Sequence, residues 1–559
     1  MYGSRGLSVA MWLRKRARGH FGRQRYRWLQ PRYILLCIGI LACYWPCQFL
    51  RNHVREAHAD SLMRAAQSAA LQLKSLQQDS LIRQCFDAAW TGRTLVGESF
   101  EVPCNHVNDL LVLLRAAGPI IPLHGDGREY NRTGICGGGC FFAGNLRDAQ
   151  LVMPNYIYHL VHVVSALGEQ GNPTFVSIYE SGSHDRTTGW LRVLGDVLDA
   201  VSVPHALQLG GSIQRKMGEE RIHFLARVRS AALTPLYQQC SIRNTFCAPA
   251  DDPHSHSQHS HHRARPGRHL AAGGAGRVVF LNDVLFAASD VLRLLQYPAD
   301  LVCGLDLGMA AEPDLTQREH QDTVAAYLQH RWWLPQGLAR RLAGMRALER
   351  WWRRQHKAHE ARFRSFGPLF FYDKWVARDI SGRMFTNRAP YVAYKPSVRR
   401  VAMGQPVRVH CCWNGLAVIG AEPLVRRAVQ FREHVEGECS ASECSLLCDD
   451  MWRLGYDDVI MDPNVRVTYD VPGASRLYRG FTADVPLGVP GVAYVPFRSG
   501  DVAEVMSLPK HEDLLREAGG ADSGQPRTRQ VDCCDLAKGA DMVEFRDPGV
   551  CHNATVVLS

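Results

Sequence analysis

The feature that most constrains this chain is an uncharged stretch of 18 residues, Tyr33–Leu50, placed directly behind a strongly basic segment. Such a stretch is just long enough to cross a bilayer core as a helix, and Pro46 is placed to kink or end that helix early. Residues 1–32 hold nine Arg or Lys and no Asp or Glu. Arg14, Lys15, Arg16, Arg18, Arg23, Arg25, Arg27 and Arg32 all precede the apolar run. That asymmetry keeps the N-terminus cytosolic and sends the remainder across the membrane. A type II signal anchor is expected rather than a cleaved signal peptide, because the basic region is long and no A-x-A-like site stands out. Of the formal charge of +11, only +2 belongs to everything after residue 32, so the basicity argues for membrane topology and not for nucleic acid.

With 559 residues the chain exceeds what one compact core usually reaches. The expected organisation is a cytosolic tail (1–32), an anchor (33–50), a polar helical stem (51–84), a lumenal domain (85–498) and a weakly ordered C-terminal region (499–559). Fifteen of the 18 cysteines lie beyond the anchor, and a lumenal setting predicts that several are disulfide-bonded, with at least one left over. Asn131-Arg-Thr and Asn553-Ala-Thr fit N-glycosylation acceptors, a short motif that becomes informative with that orientation.

Thr174–Tyr179 is a short apolar run opening into Glu180–Asp185, after which Trp190–Ala200 has helical spacing. Arg277–Leu281 ends in Asn282-Asp283, helical Val291–Gln296 follows, and then comes Asp300–Asp306. Alternating strands and helices predict an α/β fold with a mainly parallel sheet. Two insertions interrupt it. Residues 251–276 carry His254, His256, His259, His261, His262 and His269 without fixed Cys/His spacing, which reads as a solvated loop with metal binding as the alternative. Residues 312–366 are rich in Arg and Trp, and Leu338, Leu342, Met345 and Trp352 recur at nearly helical spacing. These read as amphipathic helices packed on the domain, or lying on a membrane surface.

In an open parallel sheet ligands bind beyond the C-terminal strand ends, the positions of Glu180–Asp185, Asn282-Asp283 and Asp306. Acids grouped there suit a divalent cation held on hard oxygens opposite a diphosphate, with Asp283 first and Asn282 and Asp306 assisting. Each acid alone could equally cap a helix or start a turn. Further on, Glu443, Asp449 and Asp450 stand where they could begin or cap a helix running into Met451–Leu454. Cys439, Cys444 and Cys448 beside them lack a zinc signature, and an oxidising lumen favours disulfides.

Ordered blocks then carry a resemblance: Ala143–Arg147, Val176-Ser-Ile-Tyr-Glu-Ser-Gly-Ser-His-Asp185, Arg221–Arg227, Phe280-Leu-Asn-Asp-Val284, Tyr372-Asp373 with Arg378–Gly382, Cys412-Trp-Asn-Gly415, and Ser442–Asp450. They resemble the fungal capsule-associated alpha-1,3-mannosyltransferases, the cryptococcal mannosyltransferase among them. Ser230 and Ser445 stand where that pattern would have Asn and Cys. The resemblance implies a type II enzyme of the Golgi or endoplasmic reticulum with a GT-A-like nucleotide-binding sheet. It implies transfer of mannose from GDP-mannose to a glycan acceptor with retention, assisted by a divalent cation, Mn²⁺ preferred and Mg²⁺ allowed. Carried over block by block, Ser177, Tyr179, Glu180, Ser181, Ser183 and Asp185 would cradle the donor, and Arg227 would pair with a phosphate. Asp373 with Tyr372 would meet the sugar, and Trp413 and Asn414 the acceptor. Because retention calls for a carboxylate near the anomeric carbon, the resemblance also makes Asp450, Glu443 and Asp373 the candidate catalytic residues, with Asp450 preferred. Two other classes stay open: a glycan-binding scaffold of the same fold, and a glycoside hydrolase, which shares paired carboxylates but needs no nucleotide loop.

Overall fold

The structure is a computed structural model that describes residues 31–121, 130–216, 219–243, 276–309, 369–387, 389–477, 492–509, 527–534 and 551–558. Most of the two expected insertions, 251–276 and 312–366, lies outside the described residues, as does the tail 1–30.

Helix α1 (Pro31–Ser75) runs on through Pro46. The expected anchor Tyr33–Leu50 falls on residues of this helix whose side chains lie outside the described ones. Among the described residues no helix is long and apolar enough to cross a membrane. The second half of α1, expected to be a free stem, is part of the fold. Ala66, Ala70 and Leu73 are fully buried where α1 packs on α3 (Glu98–Ala117) and α5 (Thr187–Ala200), with α2 (Asp79–Thr91) and α4 (Met153–Glu169) packed on those in turn. Met63 of α1 sits so close to Gly189 of α5 that any Cβ there would collide with its sulfur. Lys74 bridges Asp196 and Asp199 at 3.2 and 2.7 Å, and Arg186 pairs with Glu56 and Asp60. The folded unit therefore starts well before Cys85.

Among the described residues ten strands form one sheet, in the order β3-β2-β1-β4-β9-β5-β10-β8-β7, with β6 paired to β5. The strands are β1 (Cys140–Leu146), β2 (Thr174–Glu180), β3 (His205–Gln208), β4 (Arg277–Leu281), β5 (Leu301–Met309), β6 (Leu369–Phe371), β7 (Arg378–Asp379), β8 (Val407–Cys411), β9 (Leu416–Gly420) and β10 (Val459–Val467). β3, β2, β1 and β4 are parallel, as are β5 and β10, while β9 runs antiparallel between β4 and β5. The mainly parallel sheet expected from the alternating pattern is present. Each predicted strand and helix of that pattern appears within a few residues of its expected limits, α7 (Ala288–Leu295) included.

α4, α5 and α7 pack together as one helical layer. α6 (Arg221–Arg243), α9 (Ala421–Val425) and α10 (Glu443–Arg453) form another, and α8 (Lys395–Ala402) sits on β8. α10 begins at Ser442, whose hydroxyl accepts the Ser445 N–H, a standard use of serine at a helix start. α11 (Val471–Leu477) follows β10, and α12 (Ser499–Ser507) lies in the C-terminal region expected to be loose. That region also contains an antiparallel hairpin of β11 (Arg527–Cys534) and β12 (Cys551–Leu558). The hairpin is fastened to the domain by the Cys439–Cys533 disulfide and by Arg378, whose Nε donates to the Asp532 carbonyl at 2.6 Å. Further disulfides join Cys85–Cys104, Cys136–Cys140, Cys303–Cys412 and Cys411–Cys448, and Cys444 is a buried free thiol.

Because Leu73 is buried while its neighbour Leu71 is about half exposed, Leu73→Ala should lower unfolding free energy by about 2–5 kcal/mol. Leu71→Ala should change it by less than about 0.5 kcal/mol. Denaturant melts of the two variants check this; equal effects would mean that α1 is a free stem.

Candidate active site

A cavity of about 380 Å³ opens where the parallel strands end. Asn145 of β1, Ser181 after β2, Asn282 and Asp283 after β4, and Tyr469 after β10 line it. Tyr372, Asp373 and Trp375 enter from the turn after β6, and Glu443 and Cys444 from the start of α10. α6 contributes Arg221, Phe224, Leu225, Val228 and Arg229, spaced to share one helix face.

Arg229 organises this cleft. Its Nε donates to Glu443 Oε1 at 2.7 Å and one terminal nitrogen donates to Asn282 Oδ1 at 3.2 Å. The guanidinium carbon lies 5.5, 4.9 and 5.8 Å from the ring centres of Phe280, Trp413 and Phe431. Burial works against this charge, yet Cys444, Glu443 and Asp373 outweigh it and raise the Arg229 pKa. Burial also pushes the Cys444 thiol well up.

The acids divide into two depths. Asp283 faces the cleft, where burial raises its carboxyl pKa and Arg229 opposes the rise. Asp306 is fully buried behind the cleft. Its carboxylate accepts the Asp373 N–H at 3.1 Å and the Tyr469 hydroxyl at 3.3 Å. Burial lifts Asp306 to about 7 despite these bonds. Asp373 is raised well above the carboxylate range by burial and then by Asp306. Glu443 Oε2 is buried and has no hydrogen-bond partner.

Of the residues singled out in the sequence, the structure brings together Asn282, Asp283, Asp373, Glu443 and Ser181, with Asp306 supporting them from behind. Others are used elsewhere. Ser177 is buried and donates to the Ala232 carbonyl at 2.7 Å, and the Tyr179 hydroxyl accepts the Ile213 N–H at 2.9 Å. Glu180 holds the loop amides of Ser183 and Gly210, Ser183 Oγ accepts the Asp148 N–H at 2.9 Å, and Asp185 accepts the Thr187 N–H at 2.9 Å. This loop thus spends its side chains on its own shape. Arg227 points off the other side of α6 and pairs with Glu219 at 2.7 Å. Asp450 is held by Arg432 and Arg453, each at 2.7 Å, and does not line the cleft. The Trp413 ring is buried between Phe280 and Phe431, and Asn414 is buried with its Nδ2 on the Gly304 carbonyl at 2.7 Å. The turn that holds them needs Gly415: it has φ +74°, and a Cβ would meet Val284 at 2.8 Å and the Tyr469 hydroxyl at 3.2 Å.

Sequence reasoning missed Arg229, Arg221 and Tyr469. The signal for the two arginines was the i, i+3, i+4, i+7, i+8 row ending in them, which separates Arg229 from Arg227 by face. Tyr469 sits two residues beyond a buried strand, and its pairing with Asp306 is visible only in three dimensions.

Among the described residues, the three acids whose oxygens approach one another within 4.8 Å are Asp300, Asp457 and Asp458, at the opposite end of the sheet. They are used structurally: Asp300 accepts the Asp458 N–H at 2.9 Å and Asp458 pairs with Arg408.

Residues 139–450, more than half of the chain, match the family described as Cryptococcal mannosyltransferase 1. The chain belongs to that family. It is 24% identical over 343 residues to an alpha-1,3-mannosyltransferase of Cryptococcus neoformans, a match covering 58% of this chain and 56% of that protein. The chain therefore aligns with a little over half of that relative's length. No solved structure matches it. The part matched to the mannosyltransferase family contains every cleft residue named above except Tyr469.

At the far end of α10, Asp449 accepts from His410 Nε2 at 2.9 Å, and burial raises its carboxyl to about 7. Its folded pKa exceeds the unfolded value near 4, so its contribution to stability is full below pH ~4 and is lost as pH rises through about 7. Asp449→Asn should therefore stabilise the protein more at pH 8 than at pH 5, read as the difference in Tm from the parent. A constant difference would mean that Asp449 does not titrate in that range.

Proposed function

We propose that this chain is a glycosyltransferase that moves mannose from GDP-mannose to a glycan acceptor, forming an alpha-1,3 linkage with retention. The observation that carries the reading is the convergence of Asp283, Asp373, Glu443 and Arg229 at the C-terminal strand ends, in a member of a mannosyltransferase family.

In this reading the Glu443 carboxylate, with Oε2 unpartnered, faces the anomeric carbon and stabilises the positive charge that develops there. Asp373, whose carboxyl is pushed well up by burial and by Asp306, meets a hydroxyl of the donor sugar, its backbone N–H held by Asp306 at 3.1 Å. Tyr372 and Tyr469, with ring centres 4.9 Å apart, close the sugar's side of the cleft. The donor set also fits a divalent cation such as Mn²⁺: hard oxygens, and buried acids in excess of the cations facing them. Asp283 would hold it, since the Asn282 Oδ1 already accepts from Arg229, and bound there it would neutralise charge on the departing diphosphate. Trp413 and Asn414 are not available to the acceptor in this reading, because both are buried.

The proposal includes a single-pass type II topology in the Golgi or endoplasmic reticulum membrane. Its supports are the basic tail before Tyr33–Leu50 and the five disulfides among the described residues, a kind of bond that persists in oxidising compartments. Asn131 and Asn553 are both exposed, as glycosylation requires. Endoglycosidase treatment should remove a mass shift that also disappears in Asn131→Gln with Asn553→Gln; an unmodified parent would contradict lumenal exposure.

Purified protein given GDP-mannose, Mn²⁺ and mannose oligosaccharides should release GDP and extend the acceptor. Asp283→Asn and Glu443→Gln should each lower kcat on the order of 100-fold or more, with unchanged circular dichroism. Glycoside hydrolysis without GDP release would establish the hydrolase instead, and GDP-mannose binding without turnover across many acceptors would establish a scaffold.

A further inference from the structure

The cleft is electrically divided. Asp283, Asp373 and Glu443 come from the strand ends and α10; of the three arginines that line the cavity, Arg221 and Arg229 come from the single face that α6 turns to it, while Arg147, beyond β1, is half-exposed and lies 3.6 Å from Asp148. The guanidinium groups of Arg221 and Arg229 line the one cavity, together with Tyr372 and Asp373. Arg229 cannot swing away, being fixed by Glu443, Asn282 and three aromatic rings. Arg221 Nε is buried without any hydrogen-bond partner. An unsatisfied buried donor is destabilising, and an oxygen-rich ligand that reached it would relieve that. A planar guanidinium fork matches phosphate oxygens better than any other side chain.

We propose that Arg221 and Arg229 grip the diphosphate of the sugar nucleotide along the α6 wall, which turns the sugar toward Asp373 and Glu443 and the nucleoside toward Asn145 and Ser181. The proposal rests on the transferase reading of the cleft and adds to it the orientation of the donor. It also gives Glu443 a second task as the positioning partner of Arg229, and it accounts for why Arg227, two residues away on another face, is not the phosphate ligand.

Calorimetric titration of the full chain in Mn²⁺ with GDP, inorganic pyrophosphate and guanosine tests it. For Arg221→Gln and for Arg229→Lys, affinity for GDP and pyrophosphate should fall roughly 10- to 100-fold, the loss of one or two charge-assisted bonds. Affinity for guanosine should stay at the parent's value. Arg229→Lys keeps the buried charge opposite Glu443; if it nevertheless fails to fold, Arg221→Gln, at the first turn of α6, decides alone. A parent that binds GDP and transfers mannose, beside variants that bind GDP within about twofold of it, overturns the grip and leaves the transferase reading intact. A parent that binds neither GDP nor pyrophosphate overturns both.

Discussion

Arg229 and Glu443 put opposite charges where neither could remain alone. Removing one partner of a buried ion pair typically costs about 3–5 kcal/mol, because the other is left without solvent or counter-charge. Here the penalty of burying the pair is offset from three directions. Asn282 takes one guanidinium hydrogen, the faces of Phe280, Trp413 and Phe431 surround the cation, and Asp283 faces it across the cleft. The pair joins α6 to α10 over the end of β4, so both walls of the cavity are set by it.

α10 can serve as one of those walls because its other residues are committed. Cys448 is bonded to Cys411 of β8, Asp449 accepts from His410, and Asp450 is clasped by Arg432 and Arg453. β9 adds a second constraint by running against its neighbours. Its reversed direction brings the turn 412–415 to the ends of β4 and β5, where the Gly415 carbonyl accepts the Asn282 N–H at 2.9 Å and Cys412 is bonded to Cys303. That turn places Trp413 under Arg229. The adjacent cysteines 411 and 412 thus tie one stretch of chain to α10 on one side and to β5 on the other.

What could be read from the sequence was what local pattern determines. Thr174–Tyr179, Arg277–Leu281 and Asp300–Asp306 are runs whose burial on both faces gives continuous apolar character, and the acids that end them mark the cleft. The hairpin 527–534 with 551–558 was not legible, because Arg529 and Asp532 interrupt its apolar character and the disulfide at Cys533 holds it. Nor was the fate of the 177–185 block: side chains that suit a phosphate also suit loop amides, and only the fold shows that Glu180 is spent on Ser183 and Gly210. Asp450 and Glu443 are seven residues apart and so share a helix face in register, yet the loop carrying Arg432 covers one and leaves the other open to the cavity.

The cleft gathers groups that are costly to bury. Asp306 and Asp373 lie against each other with burial raising both, Asp283 has a distant cation for company, and Glu443 Oε2 and Arg221 Nε lack partners. A fold selected for stability alone would replace such groups with apolar ones. Their grouping within one cavity argues that a ligand with both anionic oxygens and hydroxyl groups completes them. Oxygens satisfy the α6 wall and hydroxyls satisfy the acids. A sugar linked through a diphosphate carries both kinds of group in one molecule, at opposite ends of a single bond, and it is that bond which the division of the cleft would draw apart.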